Sequence, residues 1–223
     1  MTLLSLLLIT SLVMGPPETH EVAEALPASA IGVCDPVDGA QHLWTPEARE
    51  ETRRRVQRAC KAAGASPLVC AYADAVVVRE SDGRPSIRHT LGEGENGLGP
   101  MGLSLRWHAD KWPGEDEDPM FCTPEASFVV AHAIMWRALT RYQATTILDV
   151  QAVYAGRWRC VDTAEGRSCF ADPTRQTEKA ICKRMQLRGF SCHQRVTRKD
   201  LGRKIPLAKR REFVEQLLEG GAS

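Results

Sequence analysis

Hydrophobic and polar residues recur along most of the chain with helical spacing. Thr45-Pro46-Glu47 supplies an N-cap, a proline at the first helical position and an acid in the first turn, and Gly64 stands where a left-handed C-terminal residue is wanted. Together they predict a helix over 46–62. Pro67 opens a second helix to about Arg79, with Val69, Ala73, Val76, Val77 and Glu80 on one face and Ser81-Asp82-Gly83 as its stop. Thr123-Pro124-Glu125 repeats the start signal ahead of Phe128, Ala131, Met135, Leu139 and Tyr142, the apolar stripe of a long amphipathic helix. A fourth helix is expected over Thr146 to Tyr154, and two more around Arg175 to Leu187 and Pro206 to Leu218. No stretch alternates with period two for long enough to predict a sheet, and the run Val76-Val77-Val78 is claimed by the helix around it. The expectation is a mainly α fold with long irregular loops between Glu80 and Thr123.

The first thirty residues read differently. Leu3 to Met14 is apolar apart from Ser and Thr and is closed by Pro16 and Pro17. It is too short for a bilayer, which takes about 17–25 residues, but has the length of a secretory signal core. A small-residue cleavage pattern occurs near Gly15 and again at Ala28-Ser29-Ala30, with a buried N-terminal helix or a membrane anchor as the alternatives. The reading is an exported chain, periplasmic or secreted, without a stable membrane span.

Eight cysteines agree with export, since an even number in an exported chain reads as a disulfide framework. No pair has the C-x-x-C spacing of a zinc site, and no metal or other cofactor is expected. Short loops favour Cys60 with Cys70, Cys160 with Cys169 and Cys182 with Cys192, leaving Cys34 for Cys122.

The chain has 29 Lys plus Arg against 28 Asp plus Glu, so nothing global suggests nucleic acid. The distribution is uneven: from Arg157 onward 16 basic residues face 8 acidic ones, whereas residues 31–156 are net acidic. This divides the chain into a leader (1–30), a central domain (31–158) and a basic, cysteine-containing, helical extension (159–223). The extension is expected to be pinned by disulfides and able to attract anionic cell-wall polymers.

Glu80 is the leading candidate for chemistry. It closes an apolar helix, where carbonyl dipoles and burial both disfavour a carboxylate, and a raised pKa is what a general acid near neutral pH needs. Around it, Glu80-Ser81 at a helix end, Gly97-Leu98-Gly99-Pro100-Met101-Gly102-Leu103-Ser104, and Ala152-Val153-Tyr154-Ala155-Gly156 follow one another in order. This order resembles the soluble lytic transglycosylase and goose-type lysozyme family, in which a helix ends in Glu-Ser, then Gly-Leu-Met-Gln, then Ala-Tyr-Asn-Ala-Gly. The resemblance spans about residues 45–158.

It implies a lysozyme-like helical domain that cleaves the β-1,4 bond between N-acetylmuramic acid and N-acetylglucosamine in peptidoglycan strands. Glu80 would be the acid and base, with Ser81, Met101, Gly102, Leu103, Ser104 and Tyr154 along the sugar groove. A transglycosylase needs no second carboxylate, because the muramoyl N-acetyl group assists and the sugar's 6-hydroxyl closes a 1,6-anhydro ring. A hydrolase needs a water-positioning acid, for which Glu93 or Glu95 is available. A non-catalytic wall-binding protein with the same fold is the third reading. The chain departs from the family in having Ser104-Leu105 in place of Met-Gln, and Val153-Tyr154 in place of Tyr-Asn.

Other polar groups are read more plainly. Glu115-Asp116-Glu117-Asp118 lacks a spaced calcium loop, His132 reads as a hydrogen-bonded core residue, and His89 and His108 have no metal spacing. Trp107 and Trp112, in the loop region, are the tryptophans placed to stack on a sugar, whereas Trp136 and Trp158 read as core packing.

Overall fold

The structure is a computed structural model that describes residues 45–84, 88–91, 95–104, 108–113, 122–163, 166–171 and 177–220. The leader and Cys34 lie outside the described residues. Among those residues the chain is mainly helical, with six α-helices. None of them is long and apolar enough to cross a membrane.

The helix starts follow the local signals. In α1 (Pro46–Ala62) the Thr45 hydroxyl accepts the Ala48 N–H at 3.2 Å, and in α3 (Pro124–Arg141) Thr123 does the same for Ala126. Between them in sequence, α2 (Pro67–Ser81) is buried on every face from Leu68 to Val77, which makes it the central helix of the core. α4 (Ile147–Tyr154) begins with a capping box in which Thr146 and Asp149 serve each other's backbone. α5 (Thr177–Gln186) and α6 (Arg210–Gly220), the latter preceded by a 3-10 turn at Leu207–Lys209, complete the set.

Two small sheets correct the expectation of helices and loops alone. β1 (Arg88–Leu91), β2 (Glu95–Leu98) and β3 (Leu103–Ser104) form an antiparallel meander in that order between α2 and α3. β4 (Trp158–Thr163) and β5 (Gly166–Ala171) form a hairpin in which Cys160 lies opposite Cys169. The meander's strands of two to four residues are too short to register a period of two. The extension opens on a hairpin of two six-residue strands rather than on a helix.

Disulfides join Cys60 to Cys70, Cys160 to Cys169 and Cys182 to Cys192, as the short-loop reading expects. Cys122 is also disulfide-bonded. Its expected partner Cys34 is outside the described residues.

The C-terminal residues share the core of the central ones. Ile181, Met185, Val196, Leu201, Ile205, Phe213 and Val214 are buried in the same cluster as Val69, Val76, Phe128 and Met135. Backbone bonds tie the two parts, with Ser66 donating to the Asp200 carbonyl (2.7 Å) and Arg203 to that of Ala63 (2.8 Å). His132, 1% exposed, donates from Nε2 to the Leu201 carbonyl at 2.7 Å. Gly202 makes the approach feasible, because any side chain there would collide with the carbonyl of Ala63.

Two ion-pair clusters lock the helices. Arg55 holds Glu125 through two bonds of 2.7 and 2.6 Å, joining α1 to α3. The fully buried Asp74 of α2 meets Arg53 of α1 (2.8 Å), Arg184 of α5 (3.8 Å) and Arg188 just beyond it (2.9 Å).

Candidate active site

Glu80 is the penultimate residue of α2, where the helix meets Asp82 in a left-handed conformation. Burial pushes its carboxyl above the ordinary 4.5, against the opposing pull of the Arg79 and Arg157 charges. Neighbouring Ser81 is buried and spends its hydroxyl on its own helix end, donating to the Val77 carbonyl (3.0 Å) and accepting from the Gly83 N–H (3.2 Å). Ser81, which the resemblance implies along the groove, has its side chain in the turn that presents Glu80.

The turn Gly99-Pro100-Met101-Gly102, which links β2 to β3, closes with Gly102 donating to the Gly99 carbonyl at 3.0 Å. Gly102 has φ +63°, and a Cβ built on it would lie 3.1 Å from both the Cβ and the Oε2 of Glu80. The bare backbone of this turn is therefore packed on the acid. Met101 and Leu103 are fully buried, so their side chains belong to the core. The Met101 N–H reaches the Ser127 hydroxyl at 3.4 Å, and the Met101 carbonyl accepts the hydroxyl of Tyr154.

Tyr154 comes from the last turn of α4. Burial and the nearby Glu80 charge raise its pKa well above 10, which keeps the phenol protonated as a donor. Tyr72, in the middle of α2, donates to Gln151 Oε1 at 2.7 Å and aligns α4 with α2. Three segments far apart in sequence thus meet: the end of α2, the β2–β3 turn and the end of α4.

His108 and Arg157 enter the site without having been singled out. His108 accepts the Ser104 N–H on Nδ1 at 3.0 Å, and its ring lies 6.5 Å from that of Tyr154 at 25°. Burial, then the Lys111 charge, depress its pKa to about 4, so at neutral pH it is a neutral imidazole with its proton on Nε2. The Ser104 hydroxyl is buried without a hydrogen-bond partner among the described residues. Arg157 directly follows the Ala155-Gly156 pair, an adjacency that could have drawn attention to it; nothing in the spacing marks His108.

The remaining expectations divide. Glu93 and Trp107 lie outside the described residues, as does the acidic run 115–118, and Glu95 is described only as backbone in β2. Trp112, which follows the short 3-10 turn Ala109–Lys111, is 4% exposed and packs in the core; it is not a free sugar platform. No cluster of three or more His, Cys, Asp or Glu able to hold a metal occurs among the described residues. A cleft of about 430 Å³ lined by Gln57, Lys61, Pro67, Arg188 and Phe190 lies at the opposite end of α2 and includes none of the groups around Glu80.

The arrangement presents one carboxyl whose pKa burial raises, together with a neutral phenol, an imidazole and a guanidinium. It can give a proton to a leaving oxygen and recover one from a hydroxyl. The chain matches no family model, no curated protein and no solved structure.

Proposed function

We propose that the protein is an exported, lysozyme-like lytic transglycosylase that cleaves peptidoglycan strands with Glu80 as its single acid and base. The observation that carries this reading is the meeting of the three motif segments: Gly102 against the Glu80 side chain and Tyr154 on the carbonyl of Met101. Their order along the chain alone gives no reason for them to meet around one buried acid. The disulfides suit an oxidising compartment.

The protonated Glu80 gives its proton to the glycosidic oxygen as the bond from the muramoyl C1 breaks. The muramoyl N-acetyl oxygen supports the developing cation, as in the glycosidases that dispense with a second carboxylate. The Glu80 carboxylate then takes the proton of the same sugar's 6-hydroxyl, whose oxygen bonds to C1, and the acid is restored with a 1,6-anhydro ring as product. The charges acting on Glu80 among the described residues are those of Arg79 and Arg157.

Mass spectrometry of the soluble fragments tests the reaction type. The reading expects anhydromuramoyl ends. Fragments carrying one additional water would make the protein a goose-type hydrolase instead, and no fragments at any pH would favour a wall-binding protein.

A further inference from the structure

Arg157 has two guanidinium nitrogens without a hydrogen-bond partner among the described residues. Its backbone N–H closes the end of α4 on the Ala152 carbonyl at 2.7 Å, after Gly156 has turned the chain. Its guanidinium Nε and Nη1 are buried and have no hydrogen-bond partner among the described residues. Burying a guanidinium without an acceptor is costly, and the planar fork is shaped for a carboxylate. Arg55 on Glu125 and Arg53 on Asp74 show the two-bond pairing such a fork can make. Glu80 is near enough to feel the Arg157 charge yet bonds neither nitrogen. The guanidinium therefore acts on the acid through its charge without being bonded to it.

We propose that Arg157 forms an anion subsite beside Glu80 that receives a carboxylate carried on the muramoyl residue of the glycan. The inference rests on the peptidoglycan reading above. In peptide-free strands the carboxylate is that of the lactyl group; in peptide-bearing strands it belongs to the stem peptide. Engaging it pairs the buried fork and sets the muramoyl ring, rather than its neighbour, over the acid. N-acetylglucosamine carries no carboxylate, so a chitin-like strand leaves the guanidinium unpaired and is disfavoured for that reason.

Binding can be measured without turnover by calorimetry on full-length Glu80→Gln protein, alone and combined with Arg157→Gln or Arg157→Lys. The probes are peptide-free glycan strands, the same strands with their lactyl carboxylates amidated, and peptide-bearing strands. Arg157→Gln is expected to weaken binding of at least one anionic strand by about tenfold, to leave the amidated strand unchanged, and to be partly rescued by lysine. The anionic strand that suffers more identifies the carboxylate. Equal weakening on the amidated strand, no weakening on any strand, or no binding of any strand would overturn the subsite. Cleavage plays no part in these readouts, so a subsite that holds while wild type leaves peptidoglycan intact would count against the catalytic reading alone.

Discussion

Replacing Gly102 with alanine asks whether the β2–β3 turn is what holds the Glu80 side chain. A Cβ at this position would meet the Cβ and Oε2 of Glu80 at 3.1 Å and its Cγ at 3.3 Å, and the backbone φ is +63°. The left-handed conformation alone costs an alanine roughly 1–2 kcal/mol. Pushing a packed neighbour aside adds about 1 kcal/mol, the low end for overpacked sites. Gly189 supplies the control: its φ is +79°, but nothing lies within 4 Å of a Cβ built there, so Gly189→Ala carries only the backbone cost. About 1 kcal/mol corresponds to roughly 2–4 °C in a protein of this size. Calorimetric melting should therefore place Gly102→Ala about 2–4 °C below Gly189→Ala. In a Glu80→Ala background, which removes Cγ and the carboxyl, that gap should shrink. Equal melting of the two alanine variants, or a gap indifferent to the Glu80 side chain, refutes the contact.

Tyr154→Phe should cost about 1–3 kcal/mol by leaving the Met101 carbonyl without its donor, and a wild-type melting temperature would contradict the bond. Asp74→Asn should lower stability in urea unfolding by about 3 kcal/mol, the low end for a broken buried pair because Arg53, Arg184 and Arg188 still reach solvent; a change under 1 kcal/mol would contradict it. Glu80 makes the pH dependence specific. Its folded pKa lies above 4.5, so the folded state holds the proton more tightly, and stability is lost as pH rises through the folded value. Glu80→Gln should accordingly be more stable than wild type at pH 8 and lose that advantage by pH 4; an advantage unchanged at pH 4 would show that burial does not perturb this carboxyl.

Helix boundaries were legible because caps are local chemistry. Thr45-Pro46-Glu47 and Thr123-Pro124-Glu125 carry the acceptor, the fixed φ and the first-turn acid within three residues, and the structure starts α1 and α3 there. The three short-loop disulfides were legible for a related reason, since small separations limit the geometry. The strands were not, because β3 has two residues and its pairing with β2 depends on the intervening turn. Trp112 was misread as a loop residue open to ligand, because its burial depends on chain far away in sequence. The same holds for Asp74, which looks like one more polar position on α2 until Arg188 arrives from beyond α5. Motif order brought Glu80, Gly102 and Tyr154 forward, and the structure sets Gly102 against Glu80 and Tyr154 on the Met101 carbonyl. That the Ser81 hydroxyl bonds its own helix is not visible in the spacing, and His108 is placed by a tertiary bond to the Ser104 backbone.

The central claim is that the Glu80 carboxyl cuts glycan strands. The most direct test incubates purified sacculi with wild type and with Glu80→Gln, both verified as folded by calorimetry, and quantifies the soluble muropeptides released. The account predicts Glu80-dependent release that falls by at least two orders of magnitude in the glutamine variant, in keeping with the roughly 10²–10⁴-fold contribution of a positioned acid. Release that persists undiminished in Glu80→Gln would contradict it.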